Sequence, residues 1–227
     1  MSDSERSALP ELVRATVETA FAWAKAELLA PSAGLVGSAI ASYLLNRQGS
    51  ARTILRSELE RAGATAHDFK DAEQFAAAAV RYTRAVRDQA ADENLRILAQ
   101  AMVGLARHHE VWASDFLKYA DILAPLSRDE LIFIGGLMAE DAKFYATPRP
   151  PESGGDLWKL VIDRLVQSPP ATSPLPSLKH LYSTAARATR SGLILFVTGN
   201  FAGTYYELSP MGRELREFVD IESVLRT

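Results

Sequence analysis

Four basic side chains, Lys179, His180, Arg187 and Arg190, lie in a stretch with no acidic residue from Gln167 to Tyr206. On one helix, such residues neutralise phosphates and reach base edges in a major groove. Nucleic-acid binding is therefore one chemistry open to this stretch. A packing or protein-partner surface is the other. The turn that follows, Thr198-Gly-Asn-Phe-Ala-Gly-Thr204, has no basic residue, and the last segment carries Glu207, Glu214, Glu217, Asp220 and Glu222.

Metal and nucleophile chemistry find less support. His108 and His109 are adjacent, so on a helix they diverge and form no i, i+4 pair. His67 stands four before Asp71, but two groups alone make a poor site. With no cysteine in the chain, thiolate ligands, disulfides and a Cys nucleophile are excluded. Gly-x-Ser-x-Gly, a Walker A loop and Gly-x-Gly-x-x-Gly are all absent. The expectation is a protein that is not an enzyme, with no cofactor and no metal, and the sequence identifies no small-molecule substrate.

A second segment bears on membranes. Between Glu27 and Arg47 there is no charged residue, a length close to a bilayer span. Pro31, its glycines and its serines make it a poor span. Ala33, Gly37 and Ala41, spaced by four, would allow close approach of another helix. Burial in a bundle is the expected state, with entry into a membrane under a trigger as the alternative.

These candidates need elements to hold them. The chain has 227 residues, 48% hydrophobic and 23% charged, with a net charge of −3. That suits one large domain or one domain plus a small module, and not a polybasic nucleic-acid binder. The opening residues lack the basic and apolar regions of a signal peptide, which predicts a cytoplasmic protein. The first two thirds read as successive helices: about Leu9 to Ala30, Ala33 to Arg47, then a short charged helix from Ser50 to Ala62. Phe75, Ala79, Tyr82 and Val86 share one helical face. So do Leu95, Leu98, Ala99, Met102, Leu105 and Ala106, and then Trp112, Phe116, Tyr119 and Leu123. Ser127 and Glu130 form a capping box at the next helix start. Gly135-Gly136, inside that helix, marks close packing.

Composition shifts at Thr147, where Pro- and Gly-rich stretches flank a short helix from Asp156 to Val166. Leu175 to Arg190 has helical spacing through Leu178, Leu181, Ala185 and Ala188, and Gly192 suits its end. Two β-prone runs, Leu193 to Val197 and Thr204 to Leu208, bracket a Gly-containing turn. Ser209 and Pro210 open one final helix that extends to Val224 and Leu225. The predicted fold is mainly α: a helical bundle over 1–146, linkers with a short helix over 147–174, and a winged-helix-like module with one β-hairpin over 175–227. The hairpin, with Phe196, Val197, Phe201 and Tyr205, is too apolar to stand free and should pack on the bundle or on another protomer.

The chain resembles the Abi-alpha (DUF4393) family of bacterial proteins linked to abortive infection of phage. The resemblance runs through Pro31 to Leu45 with Asn46-Arg47, Glu93-Asn-Leu-Arg-Ile-Leu-Ala99 and Phe116-Leu-Lys-Tyr-Ala-Asp-Ile-Leu123. It continues in Leu126-Ser-Arg-Asp-Glu-Leu131, Gly192-Leu-Ile and Tyr206-Glu-Leu-Ser-Pro-Met-Gly212. It implies a role in phage defence and brings no catalytic residues. Two expectations follow: a defence effector or interaction protein acting through a protein partner, a membrane or self-association as a homo-oligomer, or a winged-helix DNA-binding regulator using Lys179, Arg187 and Arg190.

Overall fold

The computed structural model describes residues 11–28, 35–64, 68–69, 71–108, 112–146, 154–167, 174–199 and 203–226. The chain divides into two compact units, Met1–Pro125 and Leu126–Thr227. The division falls ahead of the composition shift at Thr147, so the helix opened by Ser127 groups with the elements that follow it.

The first unit is helical: α1 (Glu11–Leu28), α2 (Leu35–Arg61), α3 (Ala72–Arg87), α4 (Asp92–His108) and α5 (Ala113–Leu123). α1 packs on α3, α2 on α4, and both α3 and α4 on α5. The faces expected from periodicity are the buried ones. Phe75, Tyr82, Leu95, Leu98, Met102, Leu105, Phe116 and Leu123 are all in the core, while Ala106 sits at its margin. Phe69 contacts Phe75 at 4.5 Å and Trp112 at 5.9 Å between ring centroids. Several polar groups that enter this core find partners. The Tyr82 hydroxyl donates to Ala51 O (3.2 Å) and Asn94 Nδ2 donates to Leu123 O (2.7 Å). Buried Glu58 accepts from Arg61, Arg96 and Gln100. Asp71 caps α3, and the Gln74 side chain, then the Gln74 and Glu73 amides, hold its carboxyl below the usual carboxylate range.

α2 corrects one expectation. It runs unbroken through Gly49-Ser50, where two helices were predicted. A lone helical glycine costs only about 1 kcal/mol relative to alanine, and burial of Ala51, Leu55 and Leu59 just beyond outweighs that. Gly49 is exposed, and a Cβ built there meets nothing within 4 Å. Gly49→Ala should therefore stabilise the protein by about 0.5–1 kcal/mol, read as a higher urea midpoint at unchanged slope.

The second unit holds α6 (Arg128–Ala146), α7 (Gly154–Ile162), a π-helical turn (Asp163–Gln167), α8 (Leu178–Ala188), a 3-10 turn (Thr189–Ser191), β1 (Ile194–Gly199), β2 (Gly203–Leu208), α9 (Pro210–Phe218) and α10 (Ile221–Leu225). The fold is thus mainly α with one antiparallel hairpin, in which Ile194 pairs with Leu208 and Phe196 with Tyr206. α6 is the central element. Its capping box forms as predicted: Glu130 N donates to Ser127 Oγ, and Ser127 N donates to Glu130 Oε2 at 2.9 Å. Gly135 and Gly136 let neighbours approach, since a Cβ there would lie 3.0 Å from Ile221 and 2.8 Å from Leu165.

Three buried carboxylates on α6 are matched by arginines from later elements. Glu130 meets Arg190 at 3.1 Å, Glu140 meets Arg164 at 2.6 Å, and Asp141 bonds Arg216 with Arg213 at 3.6 Å. Arg164 also bonds Glu222 of α10. Burial opposes the Arg164 charge, but its two carboxylate partners outweigh that and hold its pKa above the ordinary value.

The C-terminal helix was expected to be single and is split. Val219 leaves the helical region, and Asp220 caps α10 by accepting from Ser223 N at 2.9 Å. This local side-chain bond offers the backbone a fresh start.

Candidate functional site

Ser177 opens α8 by accepting a hydrogen bond from His180 N at 3.2 Å. Leu181, Thr184, Ala185 and Ala188 form its buried row, and α8 packs on α6. Leu178, expected on that row, is exposed. Leu175, ahead of the helix, is buried with its amide donating to Leu165 O. The outward row is Lys179, Tyr182, Ser183, Ala186 and Arg187, spaced as one helical face. Gly192, with φ of 72°, then turns the chain into β1 through the left-handed region that glycine tolerates.

The four predicted basic residues do not behave alike. His180 Nε2 lies 2.8 Å from Asp129 Oδ2, and Arg190 holds buried Glu130. Both therefore serve the start of α6. Arg187 contacts Thr184 Oγ1 at 3.4 Å. Among the described residues neither Lys179 nor Arg187 has a carboxylate partner, so these two carry the uncompensated charge of the face.

Beside them lies a cluster that periodicity alone did not reveal. The Trp158 ring, from α7, lies 5.7 Å from that of Tyr182 and 5.2 Å from that of Tyr206. Phe133 of α6 meets both Trp158 and Tyr206 edge-on, and Phe196 meets Tyr206 at 5.4 Å. Trp158 Nε1 donates to the Tyr182 hydroxyl at 3.3 Å. Burial, and then the neighbouring Tyr182 phenol, push the Tyr206 phenol up. The hairpin thus packs through Tyr206 on α6 and α7 within its own unit; Phe201 lies outside the described residues. The cluster starts in the core at Phe133 and reaches solvent at Tyr182, 37% exposed, and Phe196, 55% exposed. One clue was available: Tyr182 is out of phase with Leu181 and Ala185, so it had to point outward.

Ala33 lies outside the described residues, and so do the surroundings of Gly37 and Ala41, although α2 includes both positions. Among the described residues no helix is long and apolar enough to cross a membrane. No family model, no curated protein and no solved structure matches this chain.

Proposed function

We propose that the chain is an interaction protein whose second unit docks an acidic, amphipathic segment of a protein partner on the α8 and β1 face. The observation that carries this reading is the pairing of core-anchored aromatic rings, Tyr182 and Phe196, with Lys179 and Arg187. Aromatic side chains held in place by neighbours lose little entropy on binding and bury large areas, which makes them common interface anchors. The two uncompensated cations would select and steer an acidic partner. The resemblance to phage-defence proteins supports a setting in which the partner is a trigger or a downstream component in the bacterial cytoplasm. Self-association is a competing outcome, as is recruitment to a membrane under a trigger.

Size-exclusion chromatography of the tagged chain from a bacterial lysate tests the reading. The wild type should elute in a complex that Lys179→Glu with Arg187→Glu releases. Elution of both proteins as the same monomer, at low and high salt, would remove it.

A second reading is a winged-helix DNA-binding regulator. It is favoured by the position of the Lys179, Tyr182, Ser183, Ala186, Arg187 row on the helix just before the hairpin, the order of recognition helix and wing. With His180 and Arg190 held by α6, its phosphate contacts would fall to Lys179 and Arg187. The same double reversal should then weaken duplex binding and lower the slope of log affinity against log salt by about 2. An unchanged slope would eliminate this reading.

A further inference from the structure

A cavity of about 530 Å³ opens in the second unit, and none of the α8 row lines it. Its wall contains three arginines, Arg128, Arg164 and Arg226, and one carboxylate, Glu222, while Glu140 also holds Arg164 at 2.6 Å; Ile132, Leu165, Pro174 and Leu225 supply apolar surface. The size suits a small organic ligand. The local backbone is unusual. Arg164 and Leu165 lie in the π-helical turn, a rare conformation that recurs where side chains are re-aimed at functional sites. Gly136 makes room for that turn by lacking a side chain where Leu165 lies.

From this we propose that the cavity binds a compact organic phosphate, about the size of a nucleoside monophosphate, with Arg164 and Arg226 gripping the phosphate and the apolar wall receiving the rest. Guanidinium forks match phosphate oxygens in pairs, which favours a phosphate dianion over a single point charge. Glu222 now occupies that position, bonding Arg164 through one oxygen and Arg226 through the other at 3.3 Å. Bound phosphate would displace this carboxylate, so Glu222 is an internal competitor that sets a threshold for binding. The inference stands independently of the α8 reading.

Calorimetric titration of the full chain with AMP, inorganic phosphate and adenosine at low salt tests it. AMP should bind saturably, phosphate more weakly and adenosine not at all. Arg226 is largely exposed, so Arg226→Gln should keep the fold and lower AMP affinity about tenfold, equivalent to about 1.4 kcal/mol. Glu222→Gln should raise affinity by removing the competitor. Lys179→Glu with Arg187→Glu should leave it unchanged. No AMP binding in wild type and Glu222→Gln, or an affinity indifferent to Arg226→Gln, overturns the proposal. Loss of binding in the Lys179 and Arg187 variant alone would place the anion on α8 and overturn it equally. If Glu222→Gln fails to fold, the Arg226→Gln result decides.

Discussion

Gly212→Ala should lower stability by about 3 kcal/mol, at the upper end of the usual cost of overpacking, and disorder the junction of hairpin and α9. A Cβ at this position would lie 2.4 Å from the Leu193 carbonyl oxygen and 3.2 Å from Leu208 Cδ2. The nearer atom is backbone, so no rotamer change relieves the contact. Nor is that carbonyl free to move, because Ser209 N donates to it at 2.9 Å while Ser209 Oγ caps α9 by accepting from Gly212 N at 3.0 Å. The Leu-Ser-Pro-Met-Gly run is therefore a geometric unit: serine to cap, proline to start the helix, glycine to pass the β1 entry. Urea unfolding gives the magnitude, and Gly49→Ala, which should move the midpoint the other way, serves as control. A Gly212→Ala protein as stable as wild type would show that β1 can slide away from α9.

The second large effect is expected at Arg216. Asp141 is fully buried, and its Oδ2 is bonded by Arg216; its Oδ1 has only Arg213, 3.6 Å away, and no hydrogen bond. Removing one partner of a buried ion pair leaves the other charge without compensation, at a cost of about 3 kcal/mol or more. Arg216→Met should therefore destabilise strongly. Adding Asp141→Leu should recover most of the loss, because an apolar pair can replace a buried ion pair at little net cost. Arg213 would then turn further towards the Tyr145 ring, over which it already lies at 5.6 Å. A double variant no more stable than Arg216→Met would mean that the arginine matters through its stem and not its charge. The four corners of the cycle separate these two outcomes.

The local features were legible because local rules write them. Phe75, Tyr82 and Val86 announce a buried face by spacing alone, and Ser127 with Glu130, Ser209 with Pro210, and Gly192 each mark a boundary through bonds to residues nearby. What periodicity did not disclose depends on distant partners. Arg190 and His180 read as free cations in sequence, yet their carboxylates stand 60 and 51 residues earlier. Leu178 was counted with the core because it keeps the phase of Leu181, but the buried row starts only after the Ser177 cap has set the helix. The break at Val219 and Asp220 was hidden by apolar residues that continue past it. The aromatic cluster draws on α6, α7, α8 and the hairpin together, so no single stretch of sequence displays it.

The arginines that match the buried acids of α6 have a consequence for how the chain is made. Glu130, Glu140 and Asp141 are synthesised before Arg164, Arg190, Arg213 and Arg216, and the Asp141 to Arg216 separation is 75 residues. Until those residues emerge, α6 can hide its apolar side only by stranding carboxylates. The second unit therefore gains little by folding piecemeal during synthesis, and nascent chains stopped short of Arg213 should remain open to proteases. Arrival of Arg213 and Arg216 supplies the partners of Asp141 and lets the whole unit close at once.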